Sequence, residues 1–240
     1  MTSAVIFDMD GTLVQTETLK AESYARAITQ LRNGAVRHDD VIAAYDPLIG
    51  RSRSDVVHAL MEQFGLQDTD ALVALRLRIY DEMISDRALL KRQEYPHSTA
   101  LLRSVKGRGY PTALTTVSHA REAFIILDAL DLRRYFDTVV TIDDVARAKP
   151  SPDLYLVAAA RLGVQPAQCL AIEDSLAGVE AAVAACMPCI AIANDLTRKS
   201  LHAQPPFPGE HIVDDPRELG EAAEALLGMK PSLSQPLGHA

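Results

Sequence analysis

The sequence predicts an α/β protein with a doubly wound parallel sheet and a block of helices inserted near its start. Short apolar runs of strand character alternate with helical patterns through the second half of the chain, as connected parallel strands require. Carboxylate and hydroxyl residues follow several of these runs, at the strand ends where open α/β sheets bind ligands. Residues from about 16 to 91 instead show helical periodicity and no convincing strand.

Five short apolar runs are typical of buried parallel strands, and a sixth is weaker. They cover residues 4–7, 112–115, 138–141, 170–172 and 190–193, with 211–213 as the sixth. Helical patterns over 119–130, 152–162 and 175–185 connect the later runs. The second of these helices should have Ser151 as its N-cap, Pro152 at its first position and Gly163 at its end.

The inserted block divides the chain into domains. Its helical stretches cover 17–31, 38–46, 52–65 and 68–90, separated by Asn-Gly, Asp-Pro and lone glycine breaks. We therefore predict a core domain of residues 1–15 and 93–228 and a helical domain of residues 16–92, with hinges near 14–15 and 93–96. Residues 229–240 carry two prolines and little periodicity, which is typical of a lightly packed tail.

Composition excludes several classes of function. The 240 residues are 48% hydrophobic and 23% charged, as in ordinary globular proteins. A formal net charge of −8 argues against nucleic acid as a partner, because recognition of a phosphate backbone needs a basic surface. The chain has no apolar stretch of membrane-spanning length and no signal pattern at its start, so we expect no membrane partner and a cytoplasmic location. The three cysteines form no metal-binding pattern, and we interpret Cys186 and Cys189 as packing residues.

Asp8 and Asp10 are the most informative pair in the chain. They end the first apolar run and precede Gly11, and side chains two apart on an extended segment point to the same side. Two like charges held so close repel, so such a pair usually has a cation between its members or gives them different proton-transfer roles. A turn that only caps a strand is the alternative, because Asp-Gly is common turn chemistry.

Residues 5–13, Val-Ile-Phe-Asp-Met-Asp-Gly-Thr-Leu, resemble motif I of the haloacid dehalogenase (HAD) superfamily. Three segments resemble the later motifs in the same order, and the resemblance spans about residues 3 to 225. Thr116 resembles the motif II residue that hydrogen-bonds a phosphoryl group, with Thr115 as its rival by one position. Lys149 resembles the motif III lysine that binds phosphoryl oxygens. Glu173-Asp174 resembles motif IV, although an acidic pair before a helix is also a common N-cap.

The resemblance implies a Rossmann-like core, a C1 helical cap and a Mg²⁺-dependent phosphatase that forms an aspartyl-phosphate. Asp8 would be the nucleophile and a Mg²⁺ ligand. Asp10 would be the general acid and base, which follows if its pKa lies near working pH, and its backbone carbonyl would bind the metal. Asp174 would bind Mg²⁺ directly and Glu173 through water. Mg²⁺ fits such a site because it prefers hard oxygen ligands.

Motifs III and IV are most similar to those of the β-phosphoglucomutase-like subgroup, which contains sugar phosphate phosphatases and phosphomutases. The candidate substrate contacts are Thr16, Lys20 and Arg53 in the cap and Ser118 after motif II. For Lys20 and Arg53 the alternative is an ordinary solvated helix charge. Lys20 stands where the mutase carries a histidine, and Ile49 where it carries a lysine. Both departures favour a phosphatase.

The expected partner is therefore a small phosphorylated metabolite, such as a sugar phosphate, bound by a monomer or weak homodimer. A phosphomutase and a non-enzymatic phospho-ligand binding protein are the alternatives. Cys186 replaces the glycine that is usual after the motif IV helix. Because a left-handed position tolerates cysteine poorly, we expect the turn there to differ from the family's.

Overall fold

A six-stranded parallel sheet, with strand order β3-β2-β1-β4-β5-β6, lies at the centre of the residues that the structure describes. This computed structural model describes residues 2–49, 51–203 and 212–228. The strands are β1 (Ala4–Asp8), β2 (Thr112–Thr115), β3 (Thr138–Val140), β4 (Cys169–Glu173), β5 (Cys189–Ile192) and β6 (Ile212–Val213). The order reverses at β1, as in doubly wound folds, which confirms the predicted fold class.

Parallel pairing of β1 with β2 and β4 brings three strand ends to one edge of the sheet. Asp8 pairs with Thr115 across β1 and β2, and Phe7 pairs with Ile172 across β1 and β4. The residues that follow each strand therefore converge where the strand order reverses. A crevice at such a switch point is the usual ligand site of an open α/β sheet.

Both faces of the sheet are buried, which explains why its strands are continuously apolar. Along β1, Val5 and Phe7 point to one face and Ala4 and Ile6 to the other, each completely buried. The helices outside the insertion are α6 (Pro96–Gly107), α7 (Ala120–Ala129), α8 (Asp153–Leu162), α9 (Leu176–Ala184), α10 (Arg198–Ala203) and α11 (Leu219–Leu227). Residues of α6, α7 and α11 pack on the first face and residues of α8 and α9 on the second.

Five helices form the insertion between β1 and β2. They are α1 (Glu17–Leu31), α2 (His38–Tyr45), α3 (Arg53–Phe64), α4 (Thr69–Ser85) and α5 (Arg87–Gln93). The insertion shares an apolar cluster with the first face of the sheet. Its buried members include Ile28 of α1 and Leu72 and Tyr80 of α4. The two connecting segments are hydrogen-bonded to each other, Gln15 N to Gln93 O at 2.8 Å and Tyr95 N to Leu13 O at 2.9 Å.

Most predicted elements agree with the structure to within one or two residues, and the exceptions have local causes. The stretch 68–90 is two helices rather than one, because Asp86 is extended and its side chain accepts a hydrogen bond from Leu89 N at 3.0 Å. Helix α8 begins one residue later than predicted, so Pro152 rather than Ser151 is at its N-cap. Helices α6, α10 and α11 were not predicted.

The turn at Cys186 was expected to lose its left-handed conformation, and this expectation was wrong. Cys186 has φ +59°, so the turn is left-handed even though a cysteine occupies it. The predicted tail at 229–240 and residue 211 of the sixth strand lie outside the described residues. Within the described ranges, the structure contains no helix that is both long and apolar enough to cross a membrane.

Candidate active site

Gly11 allows the segment after β1 to approach the end of β4. Its φ is +92°, and a Cβ atom at this position would lie 2.1 Å from Oδ2 of Asp174. Any other residue would therefore clash with the Asp174 carboxylate and strain the backbone. The Asp-x-Asp-Gly sequence thus ends in glycine because two loops of the site nearly touch there.

Lys149 joins Asp8 to Glu173 at the bottom of the site. Its Nζ atom lies 2.5 Å from Oδ1 of Asp8 and also donates to Oε1 of Glu173. The hydroxyl of Tyr155 donates to the same Glu173 oxygen at 2.6 Å. Burial favours the neutral amine, but Asp8 and Glu173 outweigh it and raise the pKa of Lys149 above its usual value.

Three buried carboxylates, Asp8, Glu173 and Asp174, form the acidic cluster of the site, with one oxygen of each within 4.8 Å of the others. Burial, against the opposing charge of Lys149, raises the pKa of Asp8 to about 8, with Glu173 and Asp10 adding to the rise. Burial and the charges of Asp8 and Glu173 likewise raise the pKa of Asp174 well above its usual range. One lysine does not balance three carboxylates, and a divalent cation would relieve the repulsion. The oxygen donors of the acidic cluster fit such an ion.

Asp10 points away from the acidic cluster and is surrounded by four donors. Thr16 Oγ1 donates to its Oδ1, and Lys20 Nζ lies 3.0 Å from the same oxygen. Thr116 Oγ1 and Ser118 Oγ donate to its Oδ2 at 2.7 and 2.9 Å. Burial favours the protonated acid, but Lys20 and the hydroxyl donors outweigh it and lower the pKa of Asp10 to about 2. In this arrangement the pKa of Asp10 is therefore well below working pH. A residue that acts as both general acid and general base needs a pKa near working pH.

The structure distinguishes Thr116 from its rival Thr115. Thr116 Oγ1 accepts a hydrogen bond from Ser118 N at 3.0 Å while it donates to Asp10. Thr115 remains in β2, where its Oγ1 is buried without a hydrogen-bond partner among the described residues. Thr116 thus lies with the site residues, whereas Thr115 belongs to the sheet.

Lys20 and Arg53 of the insertion both face the sheet domain. Lys20 is also paired with Glu17 at 2.7 Å, and Tyr45 donates to Glu17 at 2.8 Å. Arg53 donates from Nη2 to Oε1 of Glu122 on α7 at 2.7 Å, across a separation of 69 residues. The structure therefore gives both cations carboxylate partners, so neither is a freely solvated helix charge.

Asn194 is a site residue that sequence reasoning missed. Its Nδ2 donates to Oδ2 of Asp174 at 2.8 Å and to the carbonyl of Gly11 at 3.3 Å. Its Oδ1 accepts from the backbone N–H groups of Leu196 and Thr197 at 2.9 and 3.1 Å. The amide therefore has a fixed orientation and holds Asp174 against the loop that contains Gly11. Its place just after β5 was a usable signal, because the other site residues also follow strands.

Sequence reasoning also missed three helix residues near the site, and their sequence patterns gave no sign of a role there. They are Arg76, Glu122 and Tyr155. Each lies on the buried side of a helix, where an apolar residue is the common occupant. Arg76 is only 3% exposed and packs against two aromatic rings. Its Cζ atom lies 5.0 Å from the ring centroid of Tyr24 and 4.5 Å from that of Tyr80. Arg76 comes near Lys20 because α1 and α4 pack together within the insertion, and Glu122 does so only because the insertion packs on the sheet domain.

Two small cavities adjoin between the insertion and the sheet edge. The first, about 50 Å³, is lined by Asp8, Asp10, Lys149, Asp174 and Asn194 among others. The second, about 70 Å³, is lined by the residues around Lys20, Arg53, Arg76, Ser118 and Glu122. Both are lined by Glu17 and Val117, so they meet at these residues. Each is far smaller than the roughly 300–1,000 Å³ of ordinary ligand pockets, so this arrangement is closed around the site.

Residues 2–185 match the family model described as haloacid dehalogenase-like hydrolase. The phosphorylated carbohydrates phosphatase of Thermotoga maritima is 37% identical over 185 residues, covering 76% of this chain and 81% of that protein. The fructose-1-phosphate phosphatase YqaB of Escherichia coli is 34% identical over 188 residues, covering 78% and 95%. Among solved structures, a β-phosphoglucomutase-like protein of Thermotoga maritima has a TM-score of 0.73 at 29% identity, covering 95% of this chain and 100% of that one.

Proposed function

This chain belongs to the haloacid dehalogenase-like hydrolases and is a phosphatase, and we propose that it hydrolyses a small sugar phosphate through an aspartyl-phosphate on Asp8. One observation carries the proposal. The Asp8 carboxylate lies at the end of the central strand, 2.5 Å from Lys149, within an oxygen-only acidic cluster that fits Mg²⁺. The phosphatase relatives that act on sugar phosphates support the substrate class.

Asp8 acts as the nucleophile in this proposal. A carboxylate oxygen of Asp8 forms a bond to phosphorus as the bond between phosphorus and the alcohol oxygen breaks. Lys149 binds the phosphoryl oxygens and keeps Asp8 oriented, and Thr116, whose hydroxyl donates to Asp10 in this arrangement, turns to donate to a phosphoryl oxygen. Bound at Asp8, Asp174 and the Asp10 carbonyl, with Glu173 nearby, Mg²⁺ would supply the positive charge that lets one anion attack another.

Asp10 transfers protons in both halves of the cycle. As a carboxylate it takes a proton from the water that hydrolyses the aspartyl-phosphate, and in the first half it gives a proton to the departing alcohol. The donors that hold its pKa at about 2 favour the carboxylate form, and so the role of general base toward water. To act as an acid, Asp10 must first move away from Lys20 and Thr16, both of which belong to the insertion side of the hinge.

The helical insertion acts as the cap in this proposal, with its boundaries near residues 16 and 92. The cavities are too small for a sugar phosphate, so a substrate reaches Asp8 only when the cap moves away. The paired connecting segments at Gln15 and Tyr95 are the hinges. Cap movement would separate Lys20 from Asp10 and so couple opening of the site to the protonation of its acid.

The test is phosphate release from a panel of sugar phosphates, sugar bisphosphates and phosphoglycolate, in Mg²⁺ and in EDTA. Glucose 6-phosphate formation from β-glucose 1-phosphate with glucose 1,6-bisphosphate is followed in parallel. Mg²⁺-dependent release from one or a few sugar phosphates is the expected result. Glucose 6-phosphate without release would instead identify a phosphomutase. Absence of both reactions across the panel would contradict the proposal and favour a phospho-ligand binding protein.

A further inference from the structure

We propose that Glu122 makes this enzyme selective for substrates with an uncharged leaving group. Monophosphates of polyhydroxy compounds would be accepted, and bisphosphates or phosphorylated carboxylic acids would be rejected. The inference deepens the proposed function and rests on it, because it concerns the part of the substrate that leaves. The leaving group is assigned to the second cavity, the one beside Lys20 and Glu122.

In this proposal the leaving group extends into the cavity beside Lys20. Asp10 gives its proton to the leaving oxygen, and Lys20 and Ser118, both in contact with Asp10, line this cavity. Its far side is formed by Arg53 and Arg76 of the cap and Glu122 of the core. Atoms attached to the leaving oxygen therefore point toward Glu122.

Three cations of this cavity already have a carboxylate within 4 Å. Arg53 Nη2 lies 2.7 Å from Oε1 of Glu122, and Arg76 Nη1 lies 3.8 Å from the same oxygen. Lys20 is paired with Glu17 and Asp10. Among the described lining residues, the one further cation is Arg51, which is exposed to solvent.

A second anion on the substrate would therefore lie beside the Glu122 carboxylate, whereas Arg51, the described lining cation without a carboxylate partner, is exposed to solvent that screens its charge. Glu122 is 4% exposed, so its interaction with a nearby anion would be screened little by water. A phosphate or carboxylate on the leaving group would have to displace Glu122 from Arg53 and then remain beside it. Repulsion of this kind is a common way to reject the wrong ligand.

The hydrogen-bonding groups of the cavity suit a neutral polyhydroxy group instead, once movement of the cap makes room for it. Arg76 is almost fully buried, and its Nε and Nη1 atoms have no hydrogen-bond partner among the described residues. A hydroxyl group can accept from Arg76 and donate to the Glu122 carboxylate at the same time. Unpaired buried donors strongly favour a ligand that satisfies them, because leaving them unpaired costs free energy.

The experiment compares ligand pairs that differ by one anionic group. The first pair is 2-hydroxyethyl phosphate and phosphoglycolate, and the second is fructose 1-phosphate and fructose 1,6-bisphosphate. For the wild type we expect kcat/KM to favour the neutral member of each pair by about tenfold or more. In Glu122→Gln, which keeps the shape and removes the charge, we expect this preference to fall by about tenfold.

Asp128→Asn is the matched control, because it removes one carboxylate from the same helix at an exposed position paired with Arg133. It should leave the preference unchanged. Equal or better use of the anionic members by the wild type would overturn the inference, even if Glu122→Gln fails to fold. So would a folded Glu122→Gln that slows every substrate equally, because Glu122 would then only hold the cap closed.

Binding separates failure of this inference from failure of the proposed function. Dissociation constants for the same pairs, measured calorimetrically with Asp8→Asn protein and Mg²⁺, need no turnover. If the wild type hydrolyses nothing but Asp8→Asn still binds the neutral members more tightly, the proposed function fails and the selectivity stands. If turnover is found but the anionic members bind more tightly, the selectivity fails alone.

Discussion

Lys149 places its ammonium group 2.5 Å from Oδ1 of Asp8 and in hydrogen-bond contact with Glu173, so a single cation serves two buried carboxylates. The side chains are 6%, 7% and 0% exposed for Lys149, Asp8 and Glu173. Oε2 of Glu173 accepts from the backbone N–H groups of Asp174 and Ser175, at 3.1 and 3.4 Å. Glu173 is thus held from both sides and in turn fixes the lysine that contacts Asp8.

Replacing Lys149 with methionine should both stop turnover and destabilise the fold. The change leaves two buried carboxylates without their ammonium partner, and loss of one member of a buried pair typically costs about 3 kcal/mol or more. Urea unfolding in EDTA measures the effect on the free energy of unfolding. Lys106→Met is the matched control, because its pair with Asp137 is partly exposed and should contribute less than about 1 kcal/mol. Equal losses in the two variants would contradict a special role for the Lys149 pair.

Asp8→Asn should reduce phosphate release by about a thousandfold or more while the protein remains folded, because the amide cannot act as a nucleophile. Asparagine keeps the shape of the Asp8 side chain, and burial already disfavours the charged carboxylate by raising its pKa to about 8, so the substitution should leave the fold intact. Rates are compared with Asp143→Asn, an exposed carboxylate on the same side of the sheet domain that contacts His119. Activity close to that of the control would exclude Asp8 as the nucleophile.

The sheet could be predicted from the sequence because each strand is buried on both faces and therefore reads as a continuous apolar run. The predicted 112–115 run coincides with β2, and the others differ by a residue or two. The break between α4 and α5 could not be seen, because Asp86 stands among good helix formers and ends a helix only through its extended backbone. Helix α6 had signals that were overlooked, Pro96 at its first turn and Gly107 at its end.

The part of the site that follows strands could be predicted because parallel strands end at one edge whatever their order. Asp8, Thr116 and Asp174 belong to that part. The contact between Arg53 and Glu122 could not be predicted, because it depends on how the helical insertion lies on the sheet domain. Two helix residues 69 positions apart carry no mark of such a contact in their local patterns.

Cys186→Gly should stabilise the protein by about 1 kcal/mol, because a non-glycine residue in the left-handed region costs roughly that much. Cys186 has φ +59° and is exposed, so the change removes backbone strain and little buried surface. The measurement is the urea midpoint of unfolding. Cys186→Ala keeps the Cβ atom and should give no such gain, and a similar gain in both variants would show that the thiol rather than the backbone was unfavourable.

Asp137 should contribute to stability in a pH-dependent way. Against the effect of burial, a hydrogen bond from Lys106 and one from Thr112 N, at 2.6 and 2.9 Å, lower the pKa of its carboxyl group. A lowered pKa stabilises the folded state above the unfolded value of about 4, and this stabilisation is lost as pH falls through the folded pKa. Because the side chain is 45% exposed, we expect Asp137→Asn to lose only about 1 kcal/mol at pH 7. The difference between the two proteins should shrink as pH falls below about 4, and a constant difference would contradict this origin.

Asn194→Ala should weaken Mg²⁺ binding by about tenfold, as loss of a group that orients a metal ligand usually does. The amide of Asn194 holds Oδ2 of Asp174 at 2.8 Å, and its own orientation is fixed by two backbone N–H groups. Without it, the Asp174 carboxylate can rotate, and ordering it again opposes binding. A Mg²⁺ titration of the thermal unfolding midpoint measures affinity independently of turnover, because an ion that binds only the folded state raises the midpoint. Ser200→Ala, on the exposed side of the following helix, should leave the titration unchanged. An unchanged titration for Asn194→Ala as well would mean that Asp174 is held by the fold around it and not by this amide.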